Sequence, residues 1–356
     1  MGQKRLVITQ IYKYKRMKIT TKFYLGVDVS KLWFDLSLLI VINHEKQPMI
    51  TERFNNNESG IKALKQWLKN HKVFFSNDTL LVIENTGVYH RLIWEFCSTH
   101  RLPIHIGNAA HIKWSFGIAR GKNDTIDSQR LCNYAHKHAD ELKASPALNP
   151  VFIKLKDLMT SRSKLIAQTG SIRSYLKELK FSNSKTTQKL LEQAHKPVLN
   201  GLKKSIALIE KQIATIIDKD DAIKNNYNLL ISVPGIGHLT AVYILCCTNN
   251  FVDKISGKQL ACYAGVVPFQ DTSGSSIKGR NKVHKMANKE LKKMLHLCAL
   301  TAIRYYPEFK QYFDRKKKEG KHSMSILNAI KNKIVLRAVA VVNNQKAYVE
   351  NLGKAA

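Results

Sequence analysis

Apolar and polar residues alternate strongly near the amino terminus. From Phe23 to about Asn55 three strand-like runs, FYLGVDVS, LWFDLSLLIVI and MITERFN, are separated by short polar breaks. The period then changes. From about Glu58 to Asn70 the residues Ile61, Leu64, Trp67 and Leu68 fall on one helical face. A strand TLLVIEN (79–85), a helix near 88–99, a strand LPIHIGN (102–108) and helices to about 140 follow. Three consecutive strands and then alternating helix and strand predict a mixed α/β domain over 22–145.

Ser145-Pro-Ala-Leu-Asn-Pro150 reads as a break. Beyond it, Leu158, Leu165, Ile172 and Leu179 recur every seven residues. After a polar gap, Leu199, Leu202, Ile206, Ile209, Ile213 and Ile216 alternate steps of three and four, continued by Ile223. This predicts an α-helical coiled-coil hairpin over 151–226, packed on itself or on a second protomer. A mainly α carboxy-terminal domain is expected over 227–345, with a Lys-rich helical end that reads as solvated and a tail at 346–356. Residues 1–21 form a basic extension, and Met17, directly before the first strand, marks residues 1–16 as a segment added upstream.

Charge sharpens this picture. The 356 residues carry 58 Lys+Arg against 26 Asp+Glu, a formal net charge of +32, and 44% of them are hydrophobic. Such a chain folds, and its charge excess calls for a polyanion, with nucleic acid the leading partner. No run approaches the length of a membrane span, so no membrane partner is expected. The six cysteines, Cys97, Cys132, Cys246, Cys247, Cys262 and Cys298, show neither CxxC nor zinc-ligand spacing and read as reduced packing residues of a cytoplasmic protein.

Four acids stand out against that basic background. Asp28 sits inside the first strand run, Glu84 closes TLLVIE, and Asp124 and Asp127 lie three apart on one face of a helix. Carboxylates in strand interiors are costly unless paired or metal-bound. Magnesium takes hard oxygen ligands, and two such ions about 4 Å apart serve phosphodiester chemistry. Taken singly, Asp124 also reads as a helix N-cap and Glu84 as a solvated acid at a loop edge. Their combination predicts a metal site.

A second candidate lies in the third segment. VPGIG (233–237) resembles a helix-hairpin-helix turn, whose Gly235 and Gly237 would let backbone N–H groups approach a DNA phosphate. Farther on, Ser273, Ser275 and Ser276 lie in a glycine-containing loop followed by Lys278, Arg280, Lys282 and Lys285. By chemistry alone this is a phosphate-binding loop, with a catalytic serine as the second reading, because no activating triad is visible.

Together the motifs carry a family resemblance. GVDVSK (26–31), IENTG (83–87) and KNDTIDSQRL (122–131) resemble the D-E-D-D motifs of the insertion-sequence transposases of the IS-one-ten family, the bridge-RNA-guided recombinases. Asn85 and Ser128 depart from that pattern, where small residues such as Ala are usual. Ala264-Gly265-Val266-Val267-Pro268 and Ser273-Gly274-Ser275-Ser276 match the same family's second domain. The resemblance spans about residues 22–345. It implies an N-terminal domain of the ribonuclease H-like fold, similar to the resolvase RuvC, with Asp28, Glu84, Asp124 and Asp127 holding magnesium, two ions per site, and no nucleotide cofactor. It further implies Ser273 as nucleophile, with Ser275 and Ser276 contacting phosphate.

The expected activity is RNA-guided DNA recombination, a transposase reaction through a covalent phosphoserine–DNA link. Donor and target DNA, a structured noncoding guide RNA and a homodimer that becomes a tetramer on DNA are the expected partners, at the bacterial nucleoid when active. The alternative enzyme is a metal-dependent, structure-specific endonuclease of the junction-resolvase kind, with water as nucleophile. A noncatalytic nucleic-acid scaffold with structural acids is the reading from another class.

Overall fold

The computed structural model describes residues 20–116, 124–181, 184–269, 272–273, 277–279, 282–283 and 286–349. The chain divides between Leu148 and Asn149 into two compact units. The upstream segment 1–16 lies outside the described residues.

The first unit runs β1 (Thr21–Val29), β2 (Trp33–Ile42), β3 (Glu45–Lys46), β4 (Ile50–Asn55), α1 (Glu58–Asn70), β5 (Thr79–Glu84), α2 (Arg91–His100), β6 (Ile104–Gly107), α3 (Ala109–Ser115) and α4 (Asp124–Lys137). Its sheet has the order β3-β2-β1-β5-β6, with β4 also pairing β2. Strands β1, β2 and β4 are antiparallel to their neighbours, whereas β5 and β6 continue from β1 in parallel. This is the mixed sheet of a ribonuclease H-like domain.

Strand β1 is central, and its alternation assigns both faces. Phe23, Leu25, Val27 and Val29 join Leu36, Leu38, Leu64, Leu68, Ile93 and Phe96 in one core. Helix α1 contributes Leu64 and Leu68, both fully buried, each worth about 1.5–3 kcal/mol of transfer free energy. Asn57 starts that helix by accepting from the Gly60 N–H. On the opposite face, Tyr24 packs with Val82, Leu131, Cys132 and Ala135. Helix α4 covers this face with the stripe Ser128, Leu131, Cys132 and Ala135.

The second unit is mainly helical: α5 (Pro150–Glu178), α6 (Lys185–Asp218), α7 (Asp221–Ile231), α8 (His238–Thr248), α9 (Gly257–Tyr263), α10 (Lys289–Tyr305), α11 (Pro307–Lys318) and α12 (Ser323–Asn344). Helices α5 and α6 pack together as a long hairpin. Its base belongs to the main core of this unit, where Phe152, Leu155, Met159, Ile213 and Ile217 are buried beside α8 and α12 residues. The heptad seam ends earlier than its spacing suggests. Asp220 caps a new helix by accepting from the Ile223 N–H, so Ile223 belongs to α7 rather than to the hairpin.

The basic end of the chain divides in two: the run from Arg315 to Lys321 is largely exposed, whereas α12 beyond it buries Ile326, Leu327, Ile330, Ile334, Val335, Ala338, Val339, Val341 and Val342 in the core. Its lysines and polar residues interrupt the apolar positions, which hid a central helix behind an ordinary composition. No helix among the described residues is long and apolar enough to cross a membrane. All six cysteines are free.

Candidate active site

Sheet register builds the acid site. Asp28 on β1 stands directly opposite Asp35 on β2, which stands directly opposite Arg53 on β4. On the other side of β1, the parallel register pairs Val27 with Ile83, so Asp28 and Glu84 follow together one step beyond. Residues opposite one another on neighbouring strands face the same way. The row Glu84, Asp28, Asp35, Arg53 therefore crosses four strands on the face that α4 covers.

Helix α4 supplies the other two acids. Asp124 and Asp127 occupy its first turn, on the N-terminal continuation of the stripe that packs on the sheet. A carboxylate is favoured there by the helix dipole. The helix comes close because β1 has glycine at position 26. A Cβ at Gly26 would overlap the Ser128 carbonyl and the Cys132 amide of α4. Ser128, which departs from the family's small residue, is fully buried and satisfied: its hydroxyl lies 2.8 Å from Ser37 Oγ and donates to the Thr125 carbonyl at 2.8 Å. Thr51 extends this polar seam, its hydroxyl 2.8 Å from Ser37 Oγ.

Burial and neighbouring charge raise the proton affinity of Asp28 and Glu84. Burial, then Asp124, Asp127, Glu84 and Asp35, pushes the Asp28 carboxyl up to about 6. Burial and Asp127 also raise Glu84, against an opposing effect of Lys113. These shifts tie all four predicted carboxylates into one electrostatic cluster. The D-E-D-D character of the domain implies a divalent metal, and hard carboxylate oxygens are the donors such an ion takes. Among the described residues, however, no three His, Cys, Asp or Glu side chains are gathered closely enough to hold one. The reason is visible in their partners. Asp127 accepts from Arg130 at 2.7 Å, and Asp124 Oδ2 lies 3.4 Å from both Arg53 Nη2 and Trp33 Nε1.

Asp35 and Arg53 were missed by motif reading. Arg53 donates to both Asp35 oxygens, from Nε at 2.6 Å and from Nη2 at 2.8 Å, and Asp35 is 2% exposed. The signal was present: Asp35 is a carboxylate inside an apolar strand run, by the same argument that singled out Asp28.

The serine segment belongs to the second unit. Short strands β7 (Pro268–Phe269), β8 (Thr272–Ser273), β9 (Ile277–Lys278) and β10 (Lys282–Val283) pair as two nested antiparallel ladders, β7 with β10 and β8 with β9. Ser273 pairs with Ile277 at the inner end of this hairpin, Lys278 lies in β9 and Lys282 in β10. Ser275, Ser276, Arg280 and Lys285 lie outside the described residues. The hairpin leaves the core where Asn328 of α12 donates to the Val266 carbonyl at 2.7 Å.

The VPGIG segment joins α7 to α8. Gly235 has φ +85°, and a Cβ there would overlap the Cys298 carbonyl of α10, so turn geometry and packing both require glycine. Gly237 differs. It is the N-cap of α8, has no side-chain cap and faces open space, which leaves the helix amino terminus accessible.

A mixed sheet that carries Asp28 on β1 and Glu84 on β5, with Asp124 and Asp127 on the helix over it, is consistent with the ribonuclease H-like domain of DEDD transposases. Comparison with known proteins agrees in both units. Residues 25–179 match the DEDD transposase family of IS110 elements, and residues 227–314 match the family described as Transposase IS116/IS110/IS902. Both units thus match families of insertion-sequence transposases, enzymes of DNA recombination. It is 28% identical over 334 residues to the pilin gene-inverting protein of Moraxella bovis, covering 92% of this chain and 98% of that protein. The Moraxella lacunata protein of the same name matches to the same extent. An IS110 protein of 43.6 kDa from Streptomyces coelicolor is 28% identical over 141 residues, 38% of this chain and 35% of its own length.

Proposed function

We propose that this transposase is an RNA-guided recombinase that moves its own insertion sequence through a covalent phosphoserine–DNA intermediate. The observation that carries the reading is the convergence of Asp28 and Glu84, on one sheet face, with Asp124 and Asp127 on the helix that covers it, in a chain whose second unit has Ser273 in a short strand of a hairpin. Asp28, Glu84, Asp124 and Asp127 would hold magnesium, two ions per site, which when bound would polarise the phosphodiester and favour the departing sugar oxygen.

Ser273 Oγ bonds to phosphorus as one phosphorus–sugar oxygen bond breaks. A hydroxyl of the exchanged strand later forms the new phosphodiester and releases the serine. The bond energy is kept throughout, so no nucleotide cofactor is consumed. Lys278, Arg280, Lys282 and Lys285 balance the charge that develops on phosphorus oxygens. Ser275, Ser276, Gly235 and Gly237 contact backbone phosphates.

A structured noncoding RNA reads donor and target DNA, and the net charge of +32 supports binding of both polyanions. Two copies pair through the α5–α6 hairpin and assemble as a tetramer on DNA. A groove of about 970 Å³ along the outer hairpin, with Ile166 and Leu190 exposed nearby, supports that pairing. Relatives named for inverting a gene support strand exchange as the reaction class.

Trapping tests the mechanism. With donor and target DNA and the co-purified RNA, the parent should give an SDS-stable protein–DNA adduct that disappears in Ser273→Ala. An adduct surviving that substitution moves the nucleophile elsewhere. Hydrolysed ends with no adduct favour the junction endonuclease that uses water. A heterogeneous pool of co-purifying host RNA, in place of one discrete species from the element's noncoding end, counts against RNA guidance.

A further inference from the structure

Asp35 is a buried carboxylate that the four-acid motif does not use. Arg53 grips it with a fork of two hydrogen bonds, and the Thr125 hydroxyl lies 3.5 Å from its Oδ2. The same Arg53 Nη2 reaches Asp124 Oδ2 at 3.4 Å, and the Trp33 indole N–H approaches that oxygen at the same distance. Arg53 also lies over the Trp33 ring, its Cζ 5.3 Å from the centroid. Two donors therefore engage one oxygen of a carboxylate that metal binding needs.

The geometry points to a cation latch: Asp35 and Arg53 are a positioning pair which, with Trp33, holds Asp124 toward β2 and β4 until a divalent ion takes that carboxylate. The two ends of Arg53 are held unequally. Releasing Asp35 would leave an unpaired charge in the interior, which is strongly unfavourable. The contact to Asp124 is longer, and both side chains are about half exposed there, so solvent screens it and exchange costs little. An arriving ion and the guanidinium compete for the same oxygen and repel one another. Ion loading thus separates Asp124 from Arg53 and Trp33 while the Asp35–Arg53 pair stays closed. Arg130 makes the corresponding contact with Asp127 from within α4, three residues along the same helix.

This inference rests on the reading that the site loads a divalent ion, and its test separates the two. Magnesium and manganese are titrated into the full chain while calorimetric heat and Trp33 emission are followed. Trp33→Phe serves to subtract the other three tryptophans. The parent should show saturable heat and a Trp33 change with the same midpoint, and Asp28→Asn should lose both. The double variant Asp35→Asn/Arg53→Gln leaves no unpaired buried charge. It should bind the ion about two- to fivefold more tightly, as removal of a screened competing contact implies, and give a smaller ion-dependent change in Trp33, because only the indole contact to Asp124 then remains to be broken. Arg53→Lys keeps the competing charge and should return the affinity toward that of the parent. Heat without a Trp33 change, or a folded double variant with equal or weaker affinity, overturns the latch and leaves metal loading standing. No heat from either ion in the folded parent overturns metal loading and the latch together.

Discussion

The acid site and the serine hairpin are built in opposite ways. Asp28 lies on a central strand paired to β2 from Thr21 to Val29, flanked by β5 and covered by α4. Its neighbours are set by register and by packing between residues about a hundred positions apart. Ser273 lies on a two-residue strand whose described pairing is Thr272 with Lys278 and itself with Ile277. Its placement comes from residues a few positions away. A charge cluster needs a rigid long-range frame, because several like charges held together cost free energy that only surrounding packing offsets. A strand of two residues needs no such frame. On the proposed reading the two sites would divide the work, the acids loading a cation and the serine segment supplying the nucleophile.

The largest effects should come from removing each centre's chemistry. Asp28→Asn and Ser273→Ala are each expected to lower recombination by on the order of a thousandfold or more, measured as strand-transfer product with purified components. Calorimetric titration should separate them, with metal binding lost in the first and kept in the second. Equal loss of metal binding in both would erase the division drawn here.

Next in size is the effect of filling the close approach between β1 and α4. Gly26→Ala forces a methyl into the α4 backbone and should destabilise the protein by about 1–3 kcal/mol, read from the denaturant midpoint. It should also weaken metal binding, since Asp124 and Asp127 move with the helix. A variant that loses stability with full metal affinity would show that the helix tolerates a shift without disturbing the acids.

A pH series probes the stored repulsion itself. The Asp28 carboxyl is raised from 3.8 to about 6 on folding, so the metal-free native state binds more protons than the unfolded chain between those values. Stability from this group is therefore present at low pH and lost as pH rises through about 6. The metal-free melting temperature should fall across that window, and Asp28→Asn should flatten the decline and raise the melting temperature near pH 7. Saturating metal should suppress the same decline in the parent, because the ion replaces the proton as the charge-relieving group. The serine hairpin has no counterpart to this behaviour, so Ser273→Ala should leave the profile unchanged.

Smallest is the contrast within the VPGIG turn. Gly235→Ala combines positive φ with a clash against α10 and should lower the melting temperature measurably. Gly237→Ala meets open space and should change stability by only about 0.5 kcal/mol. If DNA affinity drops in Gly237→Ala without a stability change, the amino terminus of α8 is a phosphate contact. If it does not, both glycines serve the turn alone.

Several features could be read directly from residue order. The alternation in FYLGVDV and LWFDLSLLIVI fixed β1 and β2, and the spacing of Leu64 and Leu68 fixed α1, because periodicity reflects which side of an element meets the core. Asp28, Glu84, Asp124 and Asp127 stood out because acids are rare in this basic chain and two of them interrupt apolar runs. Periodicity was less informative where polar residues share a buried helix. The Lys-rich end read as solvated throughout; its lysine run is exposed, but α12 beyond it is a core helix, since burial depends on the neighbours a helix finds rather than on its own average composition.

What the sequence determined by itself was local: the elements, their faces, the four acids and the serine within a basic loop. What only the tertiary structure decided was which charges meet. Register placed Asp35 and Arg53 in the row beside Asp28, and Gly26 let α4 bring Asp124 within reach of Arg53 and Trp33. Electrostatic coupling depends on distance and burial, and neither is written into spacing along the chain until the sheet aligns its strands.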